Sequence, residues 1–350
     1  MTRIGIIFGG RSGEHDVSLM SAVSVIKAID PAKFKLVYIG ITRHGEWKKY
    51  EGNPDDIESG EWEKKALPFA IGSLKSEVDF AFPVLHGPYG EDGTIQGLFE
   101  MLDVPYAGCG VLASALAMDK AVAKEIFSFN GLPVCKYMMV TGEELAEAGG
   151  AAIDKIEEYF SGKYPLFIKP ANMGSSVGIS KVKSRGGVSA ALAAAAKFDR
   201  RILVEEGVEA RELETGILGN ATADAAVVGE ILPSREFYDY HSKYLDGGKS
   251  EIKVPADISR ELSEQIREIA VKAYKALDCA GFARVDFLVD KHTEEIYLSE
   301  LNTIPGFTKY SMFPLLWQAA GVTYAGLIER IVELGYERYH AKNNRQTTEL

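Results

Sequence analysis

The sequence predicts an α/β protein of two or three domains, the first wound around a parallel sheet. Three observations carry this. The run RIGIIF (3–8) is continuously apolar, the pattern of a strand buried on both faces. Strand-like and helix-periodic segments then alternate to about residue 119, the order that a parallel sheet with crossover helices requires. The chain has 350 residues, more than one hydrophobic core ordinarily serves.

In order, the opening strand runs into a glycine turn, FGGRSGEHDVS (8–18), and a helix over 17–29 that Asp30-Pro31 ends. FKLVYIGIT (34–42) and VDFAFPVLH (78–86) are the next strands, and Ile95, Leu98, Phe99 and Leu102 mark a further helix. The interval 50–76 is acidic and weakly patterned, and no element is assigned to it. A smaller unit over 120–205 has a helix at 121–129, the strand PLFIKP, the loop ANMGSSVG (171–178) and an alanine-rich helix near 187–197. The strands ILVEEGV, ELETGIL and AAVVGEIL are read with a third unit, over 206–340. A long loop (233–255), a helix (259–277), a hairpin (281–301) and a closing helix after 324 complete it, before a polar tail, 341–350.

Composition narrows the function classes. A hydrophobic content of 46% with 25% charged residues is globular. With 39 Lys and Arg against 50 Asp and Glu the formal charge is −11, which argues against nucleic acid or an anionic membrane as partner. Cys109, Cys135 and Cys279 are far apart and form no CxxC pair, so reduced core thiols are expected. There is no secretory leader pattern and no apolar run of spanning length, so the expected compartment is the cytoplasm.

Four constellations could carry chemistry. In FARVDFLVDKHTEEIYLSELN (282–302) a turn near Thr293 sets Asp286 opposite Glu300 and Arg284 opposite Asn302. Two carboxylates and an amide on one strand face suit Mg²⁺, and Arg284 could neutralise a transferring phosphoryl group. Taken alone, the hairpin fits a solvated face with cross-strand ion pairs better. KPANMGSSVGISKV (169–182) follows Lys169 with a glycine- and serine-rich turn able to wrap phosphate, although a plain flexible turn fits equally. It is not a P-loop. LHGPYGEDGTIQG (85–97) puts Glu91 and Asp92 at a helix start, where ordinary capping is the simpler account, and His86 beside it. In LNTIPGFTKYSMFP (301–314), Gly306 allows a tight turn with exposed N–H groups, and Ser311 lies near enough to meet a carboxylate.

Together these segments resemble the D-alanine–D-alanine ligases of the ATP-grasp superfamily. The resemblance runs from about residue 4 to 337 and rests on HGPYGEDGTIQG and RVDF…ELNTIPGFTKYSM, in matching order and spacing. It implies a three-domain ATP-grasp architecture (1–119, 120–205 and 206–340), with ATP between the second and third domains. It also implies ligation of two D-alanines through an acyl phosphate for peptidoglycan synthesis, and a homodimer.

Carried over by motif, Asp286, Glu300 and Asn302 hold two Mg²⁺ ions, for which Mn²⁺ can substitute. Lys120, Lys169, Ser175, Ser176 and the lid residue Lys243 contact ATP. Glu205 and Val208 line the adenine pocket, and Glu212 meets the ribose. Glu206-Gly207 stands where one common version of that pocket has Lys-Trp. Glu14 receives the first substrate's ammonium in a triad with Ser175 and Tyr244, and His86 lies at the substrate. Arg284 and the Gly306 N–H stabilise the oxyanion, while Ser311 and the Met312 N–H take the second carboxylate. Glu14 also answers the oddity of the opening turn: two acids there would repel a pyrophosphate, but a carboxylate on a glycine turn suits an ammonium group.

The nearest rival shares the fold, a D-alanine–D-lactate or D-alanine–D-serine ligase of vancomycin-resistance type. Lys243-Tyr244 favours the dipeptide, with His241 nearby as the contrary sign. A sensor that binds without turnover would need broken metal or phosphate positions, and none is visible. A dinucleotide oxidoreductase would need a GxGxxG that the chain lacks.

Overall fold

The computed structural model describes residues 1–174, 177–232 and 251–344. The loop serines Ser175 and Ser176 and the lid residues His241, Lys243 and Tyr244 lie outside the described residues. So does most of the long loop expected over 233–255.

Three sheets organise the described residues. The first contains β1 (Thr2–Gly9), β2 (Phe34–Ile41), β3 (Trp47–Tyr50), β4 (Leu67–Pro68) and β5 (Phe80–Val84), in the order β4-β3-β2-β1-β5. β1 pairs in parallel with both β2 and β5, as its two-sided burial demands. β3 and β4 extend the sheet antiparallel, so it is mixed rather than wholly parallel. β3 ends where the unassigned interval begins and β4 lies within it; its other pieces include helices of four residues, too short for periodicity to register. The helix His15–Ala28 carries Asp16 in its first turn and Lys27 in its last, both favourable to its dipole.

The second sheet contains β6 (Tyr137–Thr141), β7 (Leu166–Pro170), β8 (Ser180–Val182) and β9 (Arg201–Glu206), in the antiparallel order β6-β9-β7-β8. β9 is the run ILVEEGV, which therefore belongs here and not with the strands that follow it. Its central position explains its apolar composition, since Ile202, Leu203 and Val204 are all fully buried. The helix Gly142–Phe160 was not anticipated, although Thr141 and Glu144 form a full capping box that the sequence displays as TGEE.

The third sheet contains β10 (Ala210–Gly219), β11 (Ala223–Leu232), β12 (Glu251–Lys253), β13 (Gly281–Asp290) and β14 (Ile296–Asn302), in the order β12-β11-β10-β13-β14. The helix Arg260–Ala276 starts where Ser259 accepts a hydrogen bond from the Leu262 N–H. The helices Met312–Ala319 and Tyr324–Asn343 close the chain. A Cβ at Gly216 would lie 2.8 Å from the Trp317 ring nitrogen, so glycine there lets the helix Met312–Ala319 sit down on β10. One core joins the first and third sheets: Phe307 meets Phe82 and Phe282 edge-on, at 6.0 and 5.4 Å between ring centroids. Such pairs add about 0.5–1.5 kcal/mol each beyond simple burial and pin the 303–308 loop between the two sheets. Cys109, Cys135 and Cys279 are buried thiols.

Candidate active site

The hairpin has the register expected. Arg284 pairs with Asn302 and Asp286 with Glu300, but a bulge then shifts the ladder, so that Phe287 faces Leu298. The extra residue is Ser299. It keeps both acids in register at the open end while apolar residues alternate correctly into the core below.

Arg284 is the hub of this face. Its Nε and Nη2 each donate to Asp286 at 2.7 Å, and Nε lies 2.8 Å from Glu214 Oε2. Glu214 sits on β10 opposite Asp286. Burial works against the Arg284 charge, but Asp286, Glu214 and Glu300 outweigh it and raise its pKa well above the ordinary value. The guanidinium is thus a fixed cation, oriented by two carboxylates. Asn302 Nδ2 donates to Asp286 Oδ2 at 2.9 Å, and Lys120 Nζ lies 3.3 Å from Glu300 Oε2.

Among the described residues no cluster of three or more His, Cys, Asp or Glu side chains could hold a metal. Here two carboxylates are joined by an amide, Asn302, and each oxygen keeps a second lone pair beside its hydrogen bonds. Such hard oxygen donors fit a small divalent cation.

The same face lines a cavity with Glu14, His86, Glu91, Lys120 and the 303–306 segment, residues nearly 300 positions apart. Glu14 enters at the start of the first helix. Ser12 sets the turn: its hydroxyl donates to the His86 carbonyl at 2.6 Å and accepts from the Glu14 N–H at 3.1 Å. A Cβ on Gly87 would fall 2.5 Å from Glu14 Oε2, and one on Gly174 would fall 2.7 Å from it. The carboxylate therefore lies in a groove between two loop glycines, one following β5 of the first sheet and one following β7 of the second. Glu91 accepts from the Gly87 N–H at 2.9 Å, and burial together with Glu14 raises its pKa well above the usual range. Asp92 does act as a cap, accepting from the Thr94 N–H at 3.0 Å.

His86 is a positioning group. Nδ1 donates to the Ile304 carbonyl, and Nε2 takes the Ser21 hydroxyl, both at 3.0 Å. Ser21 in turn accepts from the Phe307 N–H. Both ring nitrogens are thus committed to protein, and the imidazole ties the first helix to the loop that carries Gly306. Burial depresses its pKa and Arg284 adds to this, outweighing Glu14 and the Ile304 carbonyl. As the pH falls below about 6.5, the unfolded chain takes up a proton that the folded one refuses, at a cost of up to about 1.4 kcal/mol per pH unit. The stability lost between pH 7.5 and 5.5, measured by urea unfolding, should therefore shrink in His86→Gln. An unchanged loss would assign the effect to another group.

Gly306 lies against Ser311: a Cβ there would be 2.7 Å from the serine Oγ. That hydroxyl accepts from the Thr308 N–H at 3.0 Å and makes no cap bond to the helix that begins at Met312. Ser311 and Met312 stand outside the lining of the cavity.

The residues expected at the nucleotide form a second group. Across β7 and β9, Phe167 pairs with Glu205, which places Lys169 diagonally on the same face. Glu205 is bound by Lys169 and by Lys124, the latter at 2.5 Å and itself 1% exposed. Burial alone would push the Glu205 carboxyl up, but the two ammonium groups hold it at about 2. Lys124 was missed by sequence reasoning, although it follows Lys120 by four residues on one helix and so shares its face. Val208 lies half-buried between β9 and β10, and Glu212 lies on β10, both away from the cavity lining. A Cβ at Gly207 would fall 2.8 Å from Pro165 and 3.2 Å from the Phe167 ring, so no bulky side chain fits there.

Comparison with known proteins identifies the family. Residues 3–109 match the family model "D-ala D-ala ligase N-terminus", and residues 126–333 match "D-ala D-ala ligase C-terminus". The chain belongs to the D-alanine–D-alanine ligase family. It is 49% identical to a D-alanine--D-alanine ligase of Thermoanaerobacter sp. (strain X514), covering 97% of this chain and 98% of the relative. It is 47% identical to one of Acetivibrio thermocellus, covering 97% and 96%. Among solved structures, the VanG D-Ala:D-Ser ligase of Enterococcus faecalis superimposes with a TM-score of 0.86 at 38% identity, covering 95% of this chain and 99% of that one. The D-alanine-D-alanine ligase of Coxiella burnetii gives 0.86 at 30%, covering 98% and 96%. The family is ATP-dependent, which brings ATP and a divalent metal with it. No helix among the described residues is long and apolar enough to cross a membrane.

Proposed function

We propose that this chain joins two D-alanines to D-alanyl-D-alanine at the expense of ATP, with the residues above as its machinery. The observation that carries this is the convergence of Glu14, Arg284, Glu300 and Gly306 from opposite ends of the chain on one shared cavity. The three domains divide at 1–119, 120–205 and 206–340, with 341–350 as a tail, and the enzyme works as a homodimer in the cytoplasm.

Glu14, held between Gly87 and Gly174, receives the ammonium of the first D-alanine. The carboxylate of that D-alanine attacks the γ-phosphorus of ATP, giving its acyl phosphate and ADP. The amine of the second D-alanine adds to the acyl carbonyl, and phosphate leaves. Arg284 faces the negative charge of both steps, and fixed donors of this kind need no reorganisation as the charge develops. The Gly306 N–H shares the oxyanion, and Ser311 with the Met312 N–H takes the second carboxylate. Asp286, Glu300 and Asn302 would hold Mg²⁺ or Mn²⁺, which neutralises phosphate charge when bound. Lys120, Lys169, Ser175, Ser176 and Lys243 meet the phosphates, Glu205 and Val208 the adenine, and Glu212 the ribose. Tyr244 completes the triad with Glu14 and Ser175. His86 supports the substrate by fixing the Gly306 loop.

Phosphate release with D-alanine alone, and with D-alanine plus D-serine, D-lactate or L-alanine, tests the assignment. D-Alanyl-D-alanine should predominate near neutral pH. Predominant depsipeptide or D-alanyl-D-serine would favour the rival, to which the VanG similarity points. At Gly87 the backbone φ is +74°. Gly87→Ala therefore adds strain and crowds Glu14, and should raise KM for the first D-alanine at least about tenfold with little change in KM for ATP. Equal effects on both constants would contradict the place given to Glu14.

A further inference from the structure

A second cavity, of about 370 Å³, opens on the other side of the turn that carries Glu14. Its volume lies within the range of small-molecule sites. It shares only His86 with the reaction cavity, and of its other lining residues only Ser12, which sets the Glu14 turn, takes part in the site described above. Its wall is built where three parallel strands end: Gly9 and Gly10 at β1, Ile41 at β2, and Leu85 just past β5. β1 has β2 on one side and β5 on the other, so the chain leaves the sheet in opposite directions at this point. Crevices beyond the carboxyl ends of strands at such a reversal are where open α/β sheets bind ligands.

The lining says what kind of ligand fits. Ile41, Leu85 and Ile95 are buried there, Trp47 and Leu98 half-buried, and Tyr89 stands exposed at the rim. Among the described residues no acidic one lines it, although the whole chain carries a formal charge of −11. Arg11 does line it. Among the described residues Arg11 makes no ion pair; its guanidinium lies over the Tyr89 ring, 4.9 Å from the centroid. Nearby Arg43, by contrast, is paired with Asp16. An apolar chamber at a strand reversal, with a cation available and no competing acid, suits a hydrocarbon body bearing one negative charge. We infer that this cavity is a binding site for a small apolar carboxylate, aryl or branched-alkyl, held by Arg11.

The site is tested by titrating 3-phenylpropionate into the full chain, following heat and Trp47 fluorescence. Saturable binding is expected, weakened about tenfold by Arg11→Ala and to a similar degree when the neutral 3-phenylpropanamide replaces the acid. Arg11 is exposed, so its substitution leaves the fold intact. Leu98→Trp fills the chamber and should abolish binding, while ligation of D-alanine, which uses the other cavity, continues. No saturable binding, equal affinity for acid and amide, or undiminished binding in both variants would each overturn the inference. The binding readouts do not depend on the activity proposed above.

Discussion

Glu300→Ala should lower turnover about a thousandfold while changing Tm by no more than about 2 °C. The asymmetry follows from where the side chain stands. Glu300 is 28% exposed toward the cavity, 3.3 Å from Lys120, so its removal leaves the packed core untouched. Its loss does remove one of the three oxygen donors on the hairpin face and releases Lys120 from its position. Steady-state phosphate release over a Mg²⁺ titration, paired with thermal unfolding, reads both quantities. Near-normal turnover at saturating Mg²⁺ would show that the hairpin face is structural.

Lys124→Met should do the reverse and damage stability first. Lys124, Lys169 and Glu205 form a buried triad in which one carboxylate is shared by two ammonium groups. Removing one partner leaves the Glu205 charge under-compensated where solvent cannot reach it. Breaking a buried pair in this way costs about 3–5 kcal/mol, or a fall in Tm of roughly 10 °C. The pH dependence has a definite sign. In the folded wild type the Glu205 carboxyl is held at about 2, below its unfolded value, so its contribution is present at neutral pH and is lost as the pH falls from about 4.3 toward 2. The gap between wild type and variant should therefore be widest at pH 7 and narrow below pH 4. KM for ATP should also rise, because Glu205 and Lys169 orient one another. A variant as stable as wild type at pH 7 would remove the triad from the structural account.

The acids of the hairpin face were legible in the sequence because alternation along a strand assigns faces. Their mutual register was right for a reason that the sequence concealed. With a plain two-strand turn the ladder from Phe287–Leu298 would set Asp286 against Ser299, and the bulge restores Glu300. The glycines at 87 and 174 could be read as turns, but not as the two walls around Glu14, since nothing local relates positions so far apart. Lys124 escaped because an ammonium on a helix is ordinarily solvated, and only its docking against β9 makes it a buried partner. His86 was expected at the substrate, and the structure gives both its nitrogens to protein.

The sequence by itself determined the alternating first domain, the antiparallel hairpin, the loops able to meet phosphate, and the family. Each depends on periodicity or on short motifs, which are local properties of the chain. Tertiary structure alone decided that β9 lies at the centre of the second sheet, that Glu214 backs Arg284, that Lys124 shares Glu205, and that the opening turn has a cavity on each side. These are contacts between segments distant in sequence. They are fixed by how whole faces pack and by how buried charges must be paired, and no window of neighbouring residues records either.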